Sequence, residues 1–264
     1  MTETAGLTLV QKGPLVRLVL DRTDKANALT QAMWDAIPDL VARAESLPGA
    51  RVLALESATQ KVFCAGADVA EYRANAGSAE WGMANHIRVT AATDALHQCQ
   101  LLTVAVVAGP CAGGGVGLAS ACDLRIADAT AVFSVPPTRL GLVYPQADTA
   151  RLVDLVGASA TKWLLLTAAK VDAQWALAHG LADEVVAPAG LPAALDTLVS
   201  RVVAGAPVSV RAMKRTLEMA LEGQRQENDE TRALLGEALT HPDHHEGTAA
   251  FLERRRPDFG PATQ

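Results

Sequence analysis

Two stretches of small residues are placed to do chemistry with the backbone instead of with side chains. The first is Cys64-Ala65-Gly66-Ala67-Asp68 and the second is Ala112-Gly113-Gly114-Gly115. Each follows an apolar run that reads as a strand, and each precedes a helical segment. Without bulky side chains a ligand can approach the main chain closely. N–H groups at such turns can converge on one developing negative charge. A carbonyl that is attacked or enolised needs that pair of donors, an oxyanion hole. On composition alone, the plainer explanation is that small residues let helix and sheet pack closely. A dinucleotide loop fits poorly, because Leu118 stands where the third glycine of G-x-G-x-x-G would follow Gly113 and Gly115. The sequence also has no phosphate-loop lysine and no G-x-S-x-G elbow.

The elements that must position these loops alternate through the first two thirds of the chain. Leu15–Leu20 reads as a strand, followed by a polar turn from Asp21 to Asn27. Thr30 can N-cap a helix carrying Met33, Ile37, Leu40 and Val41 at helical spacing, and Pro38 should kink that helix or shift its start. Arg51–Glu56 is a second strand, and Trp81–Gln98 is a helix. Thr103–Ala108 is a continuous apolar run, expected as a strand buried on both faces. Gly109–Gly115 reads as a loop and Val116–Ala121 as a short buried helix, with further short strands at Asp123–Ala127 and Ala131–Ser134. Helices then fill the chain: Thr149–Val156, Ala160–Ala168, Ala173–Ala178, Leu191–Val203, Val208–Leu221 and Glu227–Leu239. The pattern predicts an α/β fold with a helical C-terminal part, divided as residues 1–200 and 201–264.

Composition excludes several classes. Among 264 residues the formal net charge is −6 and aromatics make up 4%, with no long basic run, so nucleic acid is a poor partner. No apolar run approaches the ~20 residues of a membrane span. The four cysteines, Cys64, Cys99, Cys111 and Cys122, form no C-x-x-C pair, and a reduced, cytoplasmic protein is expected. His241, Asp243, His244 and His245 have metal-ligand side chains, but adjacent His244 and His245 cannot share a helical face, so the stretch reads as a solvated helix start without a metal.

Taken in order, the motifs resemble those of the enoyl-CoA hydratase/isomerase (crotonase) family. They are Asn27-Ala28-Leu29 after Arg22, Phe63 through Asp68, Ala112 through Gly115 with Cys122-Asp123-Leu124-Arg125, Phe133-Ser134, Leu140-Gly141, Gly180-Leu181-Ala182, and Glu246-Gly247 with Phe251 and Phe259. Almost the whole chain is covered. The resemblance implies a spiral of stacked β/α units, a helical C-terminal region that forms a homotrimer or a dimer of trimers, and an acyl-CoA thioester substrate with no separate cofactor. It assigns the oxyanion hole to the amides of Ala67 and Gly114. Backbone around Lys25, Ala26 and Ala28, and around Ala65, Gly66, Ala67 and Asp68, would hold coenzyme A. Arg254 to Arg256 could lie near the CoA phosphates, or simply complement the dipole of a helix C-terminus.

The chain departs from the family where proton transfer is concentrated. Hydratases of the family use two glutamates around a water, and the corresponding positions here are Gly117 and Pro137. Neither side chain can move a proton, and general acid–base catalysis typically contributes ~10²–10⁴-fold. Tyr144 matches a tyrosine in the family's methylmalonyl-CoA decarboxylase branch, where it would position a carboxylate or donate a proton. Otherwise it is a wall aromatic whose hydroxyl meets backbone. Asp148 is expected to cap the helix that follows it, and Arg139 to lie on the surface. Asp68 and Glu71 open a helix, and Asp123 is expected to bond backbone at a buried turn. Three functions follow: enolate chemistry other than standard hydration, with decarboxylation of a malonyl-type thioester as one form; a noncanonical hydratase using Tyr144 or Asp148; or an acyl-CoA-binding protein that has lost its chemistry.

Overall fold

Strands buried on both faces organise the molecule, which is described for residues 2–260 in a computed structural model. β1 (Thr2–Thr4), β2 (Leu7–Lys12) and β3 (Leu15–Leu20) form an antiparallel meander that opens the main sheet. β4 (Val52–Ser57), β5 (Leu102–Val107), β7 (Leu124–Asp128) and β10 (Glu184–Val186) then add in parallel, giving the order β1-β2-β3-β4-β5-β7-β10. In β4, Leu53 and Leu55 face the larger core while Val52 and Ala54 face a second cluster around Leu191, Ala194, Leu195 and Val199. That two-sided burial is why these strands read as unbroken apolar runs. A small second sheet, β6-β8-β9, is made from Pro110–Ala112, Val132–Ser134 and Lys170–Asp172.

The helices are α1 (Gln31–Glu45), α2 (Val69–Ala74), α3 (Ala79–His97), α4 (Gly114–Ala121), α5 (Gln146–Thr167), α6 (Ala173–His179), α7 (Leu191–Val203), α8 (Pro207–Leu221), α9 (Asp229–Thr240) and α10 (Pro242–Glu253). Thr30 caps α1 by accepting from the Met33 amide. The expected effect of Pro38 is not seen, since α1 runs through it without a non-helical residue. A proline inside a helix costs ~3 kcal/mol. Burial of Met33, Trp34, Ile37, Leu40 and Val41, at ~1.5–3 kcal/mol for a full-sized side chain, outweighs that. The segments read as Thr149–Val156 and Ala160–Ala168 are the two halves of α5, broken at Gly157 with φ 76° and ψ 164°.

One further expectation needs correction. Gly109–Gly115 is not all loop: β6 occupies its middle and α4 already starts at Gly114. The β1–β2 hairpin gave no alternation strong enough to be read. His241 caps α10, its ring nitrogen accepting from the Asp243 amide at 3.2 Å. Among the described residues no single helix is long and apolar enough to cross a membrane.

Candidate functional site

The two small-residue loops meet, and the reason is local backbone pairing. After a turn of 3₁₀ helix at Thr23–Lys25, Ala26 and Asn27 both take positive φ, 51° and 53°. The Asn27 side chain stabilises that costly conformation. Its Oδ1 accepts from the Arg22 amide, and its Nδ2 donates to Ser57 Oγ and to the Phe63 carbonyl. The turn delivers Leu29 beside Ala67 as an isolated parallel bridge. The Leu29 amide donates to the Gly66 carbonyl (2.7 Å), the Asp68 amide to the Leu29 carbonyl (2.9 Å) and the Ala65 amide to the Ala26 carbonyl (3.0 Å). In such a bridge the neighbours of Ala67 face Leu29, so the Ala67 N–H points the other way.

It points toward the start of α4. Gly114 is the first residue of that helix, so its N–H has no intrahelical acceptor. Among the described residues neither the Ala67 nor the Gly114 N–H donates to another backbone group. A Cβ on Gly114 would lie 3.7 Å from the Ala67 nitrogen, and one on Gly66 would lie 3.2 Å from the Gly114 nitrogen. The two free donors thus border one small space. Glycine is required on steric grounds. A Cβ on Gly66 (φ +91°) would meet the Ala112 carbonyl oxygen at 2.8 Å, and one on Gly114 would meet Trp34 Cζ2 at 2.9 Å. Two free N–H groups at a helix start can stabilise an oxyanion.

Charged groups secure the loops. Arg22 donates to the Ala28 carbonyl (2.8 Å) and pairs with Asp68 (2.7 Å). Asp68 N-caps α2 through the Ala70 amide, and Glu71 accepts from the Gln31 amide at the start of α1. The Arg22 guanidinium, followed by the Ala70 amide bond, holds the Asp68 carboxyl below the usual range despite partial burial. Of the residues expected at the CoA end, Ala26, Ala28, Ala65, Gly66, Ala67 and Asp68 are brought together in this way. Lys25 is exposed at the end of the 3₁₀ turn.

The proton-transfer positions are arranged differently from expectation. Pro137 opens a 3₁₀ turn, Pro137–Leu140, whose Arg139 reaches the Ala168 carbonyl and stays exposed. Tyr144 donates its hydroxyl to the Gly113 carbonyl at 3.1 Å. Enclosure of the hydroxyl end, with Asp148 nearby, pushes its pKa well above 10 and keeps it a neutral donor. Asp148 does not cap α5, which begins after Pro145. It lies within the first turn, fully buried, because its side chain turns inward toward Gly117. Sequence reasoning named Asp148 as a candidate acid but expected it to cap a helix, and it missed Trp34 against Gly114, because both contacts join residues far apart in the chain.

Elsewhere Asp123 bonds backbone as expected, accepting from the Thr103 amide and hydroxyl, and it also pairs with Lys214 at 2.7 Å. Arg255 is engaged by Glu246 and Glu253, and Arg254 closes α10 in a left-handed conformation. Two cavities lie away from the loops. One, of about 470 Å³, is lined by Leu235, Leu239 and Phe251 among others, and one of about 230 Å³ opens near Arg17 and Leu195.

Comparison with known proteins agrees with this geometry along the whole length. Among solved structures, an enoyl-CoA hydratase/isomerase family protein from Hyphomonas neptunium superposes with a TM-score of 0.93 at 35% identity, covering 97% of each chain. An enoyl-CoA hydratase/carnithine racemase from Magnetospirillum magneticum gives 0.92 at 28% identity, covering 98% of this chain and 96% of that one. The crotonyl-CoA hydratase of Syntrophomonas wolfei is 30% identical, over 96% of this chain and 97% of its own. The family model for enoyl-CoA hydratase/isomerase matches residues 11–262, and with the crotonase fold and the paired loops in place, the chain belongs to the enoyl-CoA hydratase/isomerase family of acyl-CoA enzymes.

Proposed function

We propose that this protein stabilises a thioester enolate of an acyl-CoA between the amides of Ala67 and Gly114, and that its reaction is not hydration by a pair of glutamates. One observation carries the reading: two N–H groups without acceptors, from separate loops, border one space at the start of α4. Preorganised donors of this kind are worth ~10²–10³-fold each in acyl chemistry. The turn at Lys25–Ala28 and the strand-like stretch Ala65–Asp68 hold the CoA end through backbone groups, and coenzyme A enters as part of the substrate with no other cofactor. Gly117 and Pro137 favour a reaction that ends in a single protonation, such as decarboxylation of a malonyl-type thioester. They also support a second reading, a pocket that binds acyl-CoA without turnover.

The test is a panel of enoyl, 3-hydroxyacyl, malonyl-type and saturated acyl-CoA thioesters incubated in heavy water and read by mass spectrometry. A product, or deuterium at the α-carbon, is expected. Tight binding by calorimetry with no change in any thioester would replace enolate chemistry with binding alone.

The same reading includes a trimer or dimer of trimers. Met213, Leu217 and Leu221 on α8, Leu235 and Leu239 on α9, and Phe251 and Leu252 on α10 are all more than half exposed. Exposed apolar side chains along three consecutive helices suit burial against further copies of the chain. Sedimentation is expected to give three or six chains per particle, and Leu217→Glu with Phe251→Glu to shift it toward the monomer.

A further inference from the structure

A buried carboxyl with an idle oxygen stands where Gly117 leaves a gap. Asp148 is fully buried, and its Oδ1 accepts from Arg151 Nη1 at 2.9 Å. Among the described residues its Oδ2 has no hydrogen-bond partner. A Cβ on Gly117 would lie 2.9 Å from that Oδ2 and 3.2 Å from the Tyr144 hydroxyl, and no other residue comes as near to that point. Leaving a buried polar atom unpaired is costly, and more so if it is charged.

The charges facing Asp148 come from three elements. Arg151, on its own helix, is 11% exposed and is shared with Asp94 of α3, which is 36% exposed. The Thr93 hydroxyl, also on α3, lies close to the Asp148 carboxyl but donates to the Thr90 carbonyl at 3.2 Å, and Tyr144 approaches from the preceding loop. One guanidinium therefore serves two carboxyls. Asp94 is partly open to solvent, whereas Asp148 is fully enclosed. Burial raises the Asp148 pKa against the opposing pull of Arg151. A proton on Oδ2 removes the buried charge and leaves a donor facing the Gly117 gap, free for a ligand to accept from.

We infer that Asp148 is a proton-transfer residue of this site, a neutral carboxylic acid reaching from α5 into the space that a side chain at position 117 would fill. The inference rests on the enolate reading above and deepens it. In the step, the electron pair of the enolate forms a C–H bond at the α-carbon while the Oδ2–H bond breaks. The negative charge leaves the thioester oxygen and comes to rest on Asp148, beside Arg151. Solvent then returns one proton to the carboxylate. The substrates served are thioesters whose enolate arises by loss of a leaving group, as carbon dioxide leaves a malonyl-type acid, because one acid then completes the reaction. The reverse step, removal of an α-proton by the Asp148 carboxylate, exchanges α-hydrogen with solvent.

The experiment compares wild type, Asp148→Asn and Gly117→Ala on a malonyl-type and a saturated short-chain acyl-CoA in heavy water, with binding followed by calorimetry. Asp148→Asn keeps an acceptor for Arg151, and Gly117→Ala sets a methyl against Oδ2. Both are expected to lower turnover or α-deuteration by ~10²-fold or more, with binding within a few-fold of wild type. Infrared spectra of wild type near neutral pH should contain a protonated-carboxyl band that Asp148→Asn lacks. Unchanged turnover in Asp148→Asn, or no such band in wild type, overturns the Asp148 assignment and leaves the oxyanion reading standing. A wild type inert toward the whole panel overturns both.

Discussion

The Tyr144 hydroxyl donates to the carbonyl oxygen of Gly113, and the nitrogen of that same peptide unit is the free amide of Gly114. The Gly117 amide donates to the same oxygen at 3.1 Å. Drawing electron density onto a peptide oxygen leaves its N–H more positive, so Tyr144 acts on the oxyanion donor through the peptide bond. This is the reading in which the Tyr144 hydroxyl meets backbone, and in the proposed function it makes Tyr144 a positioning residue.

Tyr144→Phe removes one of two bonds to that carbonyl. A neutral hydrogen bond is worth ~1 kcal/mol, or roughly fivefold in rate. We expect kcat to fall by about that factor with KM nearly constant, since the donor acts on charge that develops in the transition state. An equal loss in KM would instead mean that Tyr144 only shapes the pocket.

Gly114→Pro and Gly114→Ala form a matched pair. Both place carbon against the Trp34 ring, where a Cβ would be 2.9 Å from Cζ2, but only the proline removes the N–H. Proline is tolerated at the first position of a helix. The proline variant should be slower than the alanine variant by ~10²-fold in kcat. Equal rates in two folded variants would sink the oxyanion role of Gly114.

Building a glutamate at position 117 collides with the acid already there. Gly117→Glu with Pro137→Glu is expected to remain inactive as a hydratase while Asp148 occupies the gap. Adding Asp148→Ala should raise hydration of a short enoyl-CoA, followed by loss of its ultraviolet absorbance. No gain in the folded triple variant would count against the correspondence of positions 117 and 137 with the family's glutamates.

Gly109→Ala tests the hinge between β5 and β6. Gly109 has φ +65°, and a Cβ there would lie 2.3 Å from the Lys61 carbonyl oxygen, a backbone atom that cannot swing away. The conformational strain alone is ~1–3 kcal/mol. A drop in Tm of several degrees is expected, with the oxyanion loops otherwise intact.

Acid should loosen the loops through Asp68. Its folded pKa lies below the ordinary 3.8, chiefly because of Arg22. The unfolded chain therefore binds the proton more readily, and stability rises with pH across that window. The contribution is complete above 3.8 and disappears as pH falls through the folded value. Asp68→Asn should flatten the acid limb of a pH–denaturation series, and an unchanged limb would show that the pair contributes nothing.

The sequence carried the frame because two-sided strands and capped helices are local patterns. Leu15–Leu20 and the Thr30 cap were read as they stand, and the two loops were recognised from small residues and flanking strands. Family membership followed from motifs in order. Asp148 resisted reading because the atom it faces is 31 residues earlier, on another helix, so an acid early in a helix looked like a cap. Pro38 misled for the opposite reason: a local rule was overridden by tertiary burial along α1. The β1–β2 hairpin was missed because its alternation is weak.

Arg22 joins the Ala28 carbonyl to the Asp68 carboxylate, one on each of the two loop segments that frame the site. Fastened in this way, Ala26–Leu29 and Ala65–Asp68 are braced against each other, so the direction of the Ala67 amide is set once, during folding. A partly buried ion pair is also poorly screened, so added salt should leave that alignment largely unchanged.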